Sequence, residues 1–244
     1  MSTVTAPAGL RTAMARPRIL IIEDARDLTE VLTYNLKREG FDTTVAHDGQ
    51  EGLRKAQMQI PDLILLDLML PTMDGLDVCR QLRANERTRK VPILMLTAKA
   101  EETDQVVGFS MGADDYVTKP FSVKVLVQRV KALQRRREGE GEAGTVDVVE
   151  HGGVRIDRVR HRAYVAGREL DLTPTEFRLL ECLLRQPGRA FTRAQLMDAA
   201  IGEGAVVLER TIDVHIKTLR RKLGEMAERV ETVRGVGYRF REQP

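Results

Sequence analysis

Short runs of consecutive apolar residues alternate, in the first half of the chain, with segments whose apolar residues recur at helical spacing. The apolar runs predict strands near residues 18–22, 43–46, 62–67, 91–97 and 115–118. Between the first two, Leu28, Val31, Leu32 and Leu36 have the spacing of an amphipathic helix, and a last helix is predicted near 122–137. Five strands alternating with five helices predict an α/β fold, a doubly wound five-stranded parallel sheet.

The pattern changes class after a charged, glycine-rich segment at residues 138–145, which we interpret as a flexible linker. Short alternating pieces then predict a small antiparallel sheet, followed by helices near 174–186, 193–200 and 209–223. Strand-like runs around Gly235 and Gly237 predict a closing hairpin. The domains expected are therefore a disordered tail at 1–16, an α/β domain at 17–137 and an α+β winged helix-turn-helix domain at 146–244.

Composition excludes a membrane-spanning protein and favours a cytoplasmic one. Of 244 residues, 42% are hydrophobic, but no apolar run approaches the roughly 20 residues of a membrane helix, and residues 1–17 lack a signal-peptide core. Cys79 and Cys182 lack metal-site spacing, so we expect buried thiols in a reducing compartment. The net charge of +3 arises in residues 146–244, with 18 Lys and Arg against 15 Asp and Glu. Met14 is a second candidate start beside Met1.

Polar residues end four of the predicted strands, where an open α/β sheet places its binding site. Asp67 ends one strand, Glu23 and Asp24 end another, and Thr97 and Lys119 end two more. Asp24 and Asp67, on strands expected to be adjacent, would lie roughly 5 Å apart, and Mg²⁺ would relieve their repulsion. A metal-bound carboxylate beside an ammonium and a hydroxyl is suited to accept a phosphoryl group.

Other interpretations of this cluster explain fewer of its residues. A solvated acidic rim would account for any one of the carboxylates. It would not account for three acids, a hydroxyl and an ammonium that all lie at strand ends. A cofactor-binding enzyme would need a phosphate-cradling Ser/Thr/Gly loop where the acidic segment 23–27 stands, and an aspartyl phosphatase would need a second Asp in place of Met69. No Gly-rich nucleotide loop, Ser/His/Asp set or zinc spacing is present in the sequence, so we do not expect an enzyme.

The predicted helix near 209–223 has one apolar and one cationic face. Its apolar stripe repeats at four, three and four residues: Ile212, Ile216, Leu219 and Leu223. The opposite face suits a DNA major groove and consists of Arg210, Val214, Lys217, Thr218 and Arg221. His215 lies at the edge of the stripe and is expected to be structural or to contact a DNA phosphate. Arg234, at the hairpin tip, is placed to enter an adjacent minor groove.

Several motifs resemble a known family. IIED, DLMLPTMDG, MLTA and ADDYVTKPF look like a CheY-type receiver domain. TPTEFRLL, RTIDVHIKTLRRKL and TVRGVGYRF look like the effector domain of OmpR/PhoB response regulators. The resemblance covers residues 17–240 and implies a flavodoxin-like receiver in which Asp67 is the phosphoacceptor.

The resemblance also implies roles for the residues around Asp67. The implied Mg²⁺ ligands are Asp24, Asp67, the Met69 carbonyl and, through water, Glu23. Thr97 would move to hydrogen-bond the phosphoryl group, Lys119 would pair with it, and Tyr116 would follow Thr97 inward. The Lys119–Pro120 peptide bond would be cis, which proline tolerates.

The function implied is that of a phosphorylation-dependent transcription regulator. A sensor histidine kinase would phosphorylate the chain, which would dimerise, bind tandem half-sites on double-stranded DNA and act with RNA polymerase. The alternative is a phosphorylation-independent dimeric factor, which the complete set of acids, Thr and Lys disfavours. The sequence leaves open the kinase, the DNA sequence, and activation against repression.

Receivers of the family pair through the last strand and the last two helices. The apolar residues of that face would be Val106, Phe109 and Val127, and Asp115 and Arg129 match one of its ion pairs. Gln105 and Val125 replace a second charge pair, and Ser110 replaces an acid. We therefore expect a dimer interface that depends less on charge. Thr218 replaces a base-contacting arginine of some relatives, which leaves the DNA sequence open.

Overall fold

A computed structural model of the chain describes residues 16–97, 112–138, 148–200 and 211–242. In the N-terminal domain five parallel strands lie in the order β2-β1-β3-β4-β5, the doubly wound sheet that the sequence predicts. The strands are β1 (Arg18–Ile22), β2 (Asp42–Ala46), β3 (Leu63–Asp67), β4 (Ile93–Thr97) and β5 (Asp115–Thr118). The described helices of this domain are α1 (Arg26–Arg38), α2 (Gly49–Met58), α3 (Gly75–Ala84) and α4 (Val123–Glu138).

Apolar layers cover both faces of this sheet, because successive side chains of a strand point to opposite faces. Ile19 and Ile21 of β1 pack in a cluster with α1 and α4, whereas the residues that alternate with them pack with α2 and α3. Every residue of β3 and β4 is buried, as expected of central parallel strands. Asp67 lies opposite Leu96 in the β3/β4 pair, so the carboxyl ends of these strands share one edge.

The described part of the C-terminal domain combines two antiparallel sheets with three α-helices. The four-stranded sheet is formed by β6 (Val148–His151), β7 (Val154–Asp157), β8 (Arg162–Val165) and β9 (Arg168–Leu170). The three-stranded sheet has the order β10-β12-β11, with β10 (Phe191–Thr192), β11 (Val230–Val233) and β12 (Gly237–Phe240). The helices are α5 (Pro174–Arg185), α6 (Arg193–Ala200) and α7 (Thr211–Leu223), and a 3₁₀ helix spans Gly224–Arg229.

Side chains cap the start of α5. The side chains of Thr173 and Glu176 form a capping box, with Glu176 accepting from the Thr173 N–H at 2.8 Å. Pro174 occupies the first turn, where its missing N–H costs no hydrogen bond. Lys222 of α7 donates to Glu176 at 2.6 Å, which ties the two helices together.

Two short strands escaped prediction. The two-residue β10 carries too little pattern to be recognised and is defined by its pairing with β12, while β6 has no fully buried residue. Glu138, assigned to the linker, is instead the last residue of α4. The helix predicted between the fourth and fifth strands lies outside the described residues, as do most of the tail and the linker. Among the described helices, none has the length and apolar character needed to cross a lipid bilayer.

The two cysteines differ in environment. Cys79 is buried in α3, as expected, whereas Cys182 of α5 is only partly buried. Burial raises the pKa of each thiol to about 11. Both are therefore protonated and weakly nucleophilic at neutral pH.

Candidate functional site

The polar residues predicted to end neighbouring strands do meet at one edge of the sheet. Asp67 is the last residue of β3 and is 3% exposed, and Glu23, directly after β1, is 1% exposed. Asp24, by contrast, faces solvent. Thr97 ends β4 and Lys119 follows β5. Four parallel strands therefore contribute residues to the same side of the sheet, where their carboxyl ends lie.

Lys119 joins two of these carboxylates. Its Nζ lies 2.7 Å from Oε2 of Glu23 and 2.9 Å from Oδ2 of Asp67. Burial acts to lower the pKa of Lys119, but the hydrogen bonds and negative charges of both acids outweigh it and raise that pKa. The pKa of Glu23 is raised by burial and by the charge of Asp67, against the lowering effect of its hydrogen bond from Lys119. The edge thus carries more negative charge than one ammonium neutralises.

Three carboxylates at this edge are close enough to share a cation. Glu23, Asp24 and Asp67 each offer an oxygen atom within 4.8 Å of the other two. A hard divalent ion with oxygen ligands suits such a donor set and would offset the repulsion that the single ammonium leaves. Asp24 gives the cluster a solvent-facing side through which an ion can enter. These residues therefore fit Mg²⁺.

The loop after β3 is held against Asp67. The Met69 N–H donates to Oδ1 of Asp67 at 3.1 Å, and the Met69 side chain is exposed. At Gly75, the first residue of α3, an added Cβ would lie 2.2 Å from the Asp67 carbonyl oxygen. Only glycine permits this approach. Gly75 of the DLMLPTMDG motif therefore lets the start of α3 pack closely against Asp67, the candidate phosphoacceptor.

Two residues assigned to a conformational switch are both buried. Thr97 is 1% exposed at the end of β4, and Tyr116 of β5 is 2% exposed, so its ring already points inward. The movement expected of the two residues on phosphorylation stays a prediction. The Lys119–Pro120 bond is cis, as the resemblance implies.

The surface assigned to dimerisation is only partly as predicted. Asp115 and Arg129 do pair, at 2.8 and 2.9 Å, but within one chain. Val127 was expected to be an exposed apolar contact. It is instead 6% exposed and packs in the core between α4 and the sheet, whereas Val125 is 49% exposed. The remaining predicted residues of this surface, Val106 and Phe109, lie outside the described residues.

Helix α7 has the two faces that the sequence predicts. The apolar stripe is buried at 0–1% exposure: Ile212, Ile216, Leu219 and Leu223. Lys217 and Arg221 are exposed, and Val214 and Thr218 are half-buried between them. These four residues share one face because they are three, four and seven positions apart. Arg210, which would extend this face, lies outside the described residues.

His215 does not share the exposed face of α7. It is 2% exposed, and its burial lowers its pKa to about 4. The charge of Asp114 opposes that shift, while Arg178 and Lys222 reinforce it. In this conformation His215 is therefore a structural residue, and a contact with a DNA phosphate would require its exposure.

The β11/β12 hairpin carries Arg234 at its tip. Arg234 is exposed, and the turn closes with the Val236 N–H donating to the Val233 carbonyl at 3.0 Å. Gly235 adopts φ 75°, the left-handed region that favours glycine. The role of Gly237 differs, because an added Cβ would lie 2.2 Å from the Phe191 carbonyl oxygen. Gly235 therefore shapes the tip, and Gly237 allows β10 to pack beside β12.

A polar network that sequence reasoning missed connects α7 with this hairpin. Tyr238 donates to Oδ1 of Asp213 at 2.8 Å, and Arg193 pairs with the same oxygen at 2.8 Å. Arg220 donates to the Val230 carbonyl at 2.9 Å and lies 5.5 Å from the Tyr238 ring centre. The sequence offered two signals for this network: the alternation of polar and apolar residues in GYRF, and the spacing of Asp213 and Arg220 along α7. Neither signal identifies the hydrogen-bond partners, because those partners are distant in sequence.

Comparisons with known proteins identify the family of each domain. Residues 19–131 match the family described as response regulator receiver domain, and residues 167–240 match that described as transcriptional regulatory protein, C terminal. The chain is 45% identical over 224 residues to the phosphate regulon transcriptional regulatory protein PhoB of Rhizobium meliloti, covering 91% of this chain and 97% of that protein. It is also 45% identical to the sensory transduction protein RegX3 of Mycolicibacterium smegmatis, over 91% of this chain and 98% of that one.

A solved structure has a similar fold over nearly the whole length of this chain. A mutant of RitR is similar with a TM-score of 0.72 and 28% identity, and the match covers 93% of this chain and all of that one. The similarity extends across both domains rather than one.

Proposed function

The chain belongs to the OmpR/PhoB family of response regulators and is a two-component transcription regulator, and we propose that phosphorylation of Asp67 controls its binding to DNA. The observation that carries this proposal is the contact of Lys119 with both Glu23 and Asp67 beside an acidic cluster that fits Mg²⁺. The phosphoryl donor is a phosphohistidine of a sensor kinase.

The residues at the sheet edge divide the work of phosphoryl transfer. An oxygen of Asp67 attacks phosphorus in line as the bond to the donor imidazole breaks. The ammonium of Lys119, already 2.9 Å from Asp67, neutralises charge on the transferred group, and Thr97 offers it a hydroxyl. Asp24, Asp67 and the Met69 carbonyl, with Glu23 through water, would hold Mg²⁺, which would supply further charge neutralisation. Thr97 and Tyr116 then convey the change to the rest of the domain.

The C-terminal domain reads DNA through α7 and the hairpin. The exposed face of α7 enters the major groove, where Arg221 contacts a base and Lys217 a phosphate. Arg234 enters the neighbouring minor groove. The phosphorylated chain forms a homodimer through the surface that includes Val125, occupies tandem half-sites about one helical turn apart, and acts on RNA polymerase.

Intact-mass measurement tests the phosphoacceptor. Full-length protein incubated with acetyl phosphate and Mg²⁺ should gain the mass of one phosphoryl group, and removing Mg²⁺ with EDTA should abolish the gain. Asp67→Asn should gain none, because an amide is a poor nucleophile, and Asp77→Asn, on the exposed side of α3, should behave like the parent.

Equal modification of Asp67→Asn and the parent would show that another residue is the acceptor. Specific DNA binding by an unmodified chain that acetyl phosphate never labels would instead support the phosphorylation-independent dimeric factor.

A further inference from the structure

The four-stranded sheet of the C-terminal domain carries a cavity on its outer face. Its volume is about 560 Å³, within the range of about 300–1,000 Å³ that small-molecule sites occupy. Side chains alternate along β7, so Val154 and Ile156 are buried in the core while Arg155 between them faces outward and lines the cavity. This sheet cavity uses no residue of the acidic cluster, of α7 or of the β11/β12 hairpin.

A tyrosine with two neighbouring arginines lines the sheet cavity. Tyr164 of β8 lies opposite Arg155 of β7, and Arg162 lies two residues away on the same face of β8. The guanidinium carbon of Arg155 lies 6.0 Å from the centre of the Tyr164 ring, and Arg162 donates a hydrogen bond to the Tyr164 hydroxyl. Two guanidiniums are thus held beside one half-buried aromatic ring.

A third arginine is fixed beside this pair. The backbone N–H and Nη1 of Arg160 donate to the two oxygens of buried Asp157, each at 2.9 Å. The three arginines that line the cavity face only two acids, Glu150 and Asp157, and Arg160 already occupies both oxygens of Asp157. The cavity therefore has a net positive charge, carried by exposed guanidiniums at 155, 160 and 162.

Two turns define one end of the cavity. Gly153 lies in the turn between β6 and β7, and Ala166 and Gly167 form the turn between β8 and β9. The Ala166 N–H donates to the Gly153 carbonyl at 3.1 Å, which ties the turns together. Ala166 has φ 47°, a left-handed conformation that a residue with a Cβ rarely adopts and that surrounding structure must hold in place. This end of the cavity therefore has a fixed shape before any ligand binds.

The combination of side chains selects a ligand by its chemistry. Guanidiniums bind phosphate oxygens through paired N–H donors, and an aromatic side chain offers its face to a nucleobase. Glu150, exposed on β6 opposite Arg155, can accept hydrogen bonds from sugar hydroxyls or from a base amine. Because the cavity is lined by a single aromatic ring, it can stack one base, which suits a mononucleotide rather than a longer single strand.

We propose that the sheet cavity binds a nucleoside diphosphate or triphosphate, with its phosphates on the three guanidiniums and its base against Tyr164. The chain then has a nucleotide input in its C-terminal domain that is separate from phosphorylation of Asp67. None of the cavity residues belongs to the acidic cluster, so the proposal stands or falls independently of the proposed phosphoryl transfer.

Calorimetric titration of the full-length protein with ATP tests this site, in EDTA so that no Mg²⁺ bridges ATP to the carboxylates near Asp67. Tripolyphosphate and adenosine should each bind at least about tenfold more weakly than ATP, because each makes only part of the contacts. Arg155→Gln should weaken ATP binding about tenfold by removing a charged donor.

Variants of Tyr164 separate the base contact from the phosphate contacts. Tyr164→Leu should weaken ATP binding about tenfold and leave the affinity for tripolyphosphate unchanged, because only the stacking surface is lost. Tyr164→Phe keeps the ring and should bind ATP within about twofold of the parent. Arg168→Ala, at an exposed arginine of β9 outside the cavity, is the matched control and should bind ATP like the parent.

Hydrogen exchange with saturating ATP locates the bound nucleotide. Exchange should slow at residues 153–166, and slowing confined to residues 214–221 of α7 would overturn the proposal. A parent that does not bind ATP at millimolar concentration would also overturn it. Equal affinity for ATP and tripolyphosphate would refute the nucleotide in favour of a general anion, and a hexaglutamate peptide that bound as tightly as ATP would refute it in favour of an acidic protein partner. If Tyr164→Leu does not fold, an unaltered affinity of Arg155→Gln for ATP is the refuting result.

Discussion

His215 and Lys119 are both basic residues in buried surroundings, yet their pKa values move in opposite directions. Two acids within 2.9 Å raise the pKa of Lys119 despite its burial. Burial lowers the pKa of His215 to about 4, because the attraction of Asp114 does not offset the desolvation of a charged imidazole. Lys119 is thus a permanent cation at the proposed phosphoryl site, and His215 is neutral at physiological pH.

The depressed pKa of His215 predicts a pH-dependent loss of stability. In the unfolded chain His215 takes up a proton as pH falls through 6.5, whereas the folded chain resists protonation down to about 4. The contribution of neutral His215 to the free energy of unfolding is therefore fully present above pH 6.5. It is lost as pH falls toward 4, at up to about 1.4 kcal/mol per pH unit.

Chemical denaturation of the full-length protein at stepped pH measures this effect. The difference in unfolding free energy between the parent and His215→Gln should shrink as pH falls, because Gln does not titrate. His151→Gln, at a partly buried histidine of β6, is the control. Parallel pH profiles for the parent and His215→Gln would contradict the buried, neutral state of His215.

At the scale of elements, hydrogen bonds join α7 and the β11/β12 hairpin into one surface, which is the proposed DNA-reading surface. Arg220, Tyr238, Asp213 and Arg193 bridge the helix, the hairpin and the start of α6. Burial and the hydrogen bond to Asp213 raise the pKa of Tyr238, so its hydroxyl stays protonated and keeps donating. This bracing sets the distance between Arg221 and Arg234, which under the proposed function enter adjacent grooves together.

Three exposed cations of this surface, Lys217, Arg221 and Arg234, should have different effects when removed. Arg221→Ala should cost about 1–3 kcal/mol of binding and relax the preference at one base pair. Lys217→Ala should weaken all sequences alike and lower the salt slope by about one. Arg234→Ala should lose discrimination at an A·T-rich step with a narrow minor groove.

Fluorescence anisotropy on cognate and scrambled duplexes, across a salt series, separates these outcomes. Arg168→Ala, an exposed arginine on β9 in the other sheet of the domain, is the control and should bind like the parent. If all three variants bound both duplexes like Arg168→Ala, α7 and the hairpin would not be the reading surface.

At the scale of the whole molecule, the buried position of Val127 changes the expected dimer surface. Val125 is the exposed apolar residue of α4, and Asp115 with Arg129 is satisfied within the chain. Pairing through this surface would thus depend on apolar contact more than on charge pairs between chains.

Phosphorylation should raise the dimer population, and the dimer should persist in high salt, because screening weakens charge pairs more than apolar contacts. Light scattering with and without beryllofluoride, a phosphoryl mimic, over a salt series measures both effects. Val125→Glu should weaken the dimer, and Met58→Glu, at an even more exposed apolar residue on α2, should not. A beryllofluoride-bound protein that stayed monomeric at micromolar concentration would contradict the proposed switch.

Much of the fold follows from local pattern. The continuous apolar runs of β3 and β4 identify buried parallel strands, and their bounds differ from the prediction by one or two residues. The cap of α5 follows from Thr173 and Glu176 in the same way. The acidic site was also within reach, because every parallel strand delivers its last residue to the same edge.

Contacts between distant segments were beyond the sequence. An apolar residue such as Val127 can belong either to an exposed interaction surface or to the core. Only the packing of α4 on the sheet places Val127 in the core. The partners of Tyr238 and Arg220 depend on how the hairpin closes on α7.

The sequence by itself determined the two domain classes, the strand-end cluster around Asp67 and the two faces of α7, because each depends on periodicity or on residues that end an element. Only the tertiary structure decided that Lys119 bridges Glu23 and Asp67 and that His215 is buried. Hydrogen bonds and burial depend on distances between segments far apart in the chain, and no local pattern records those distances.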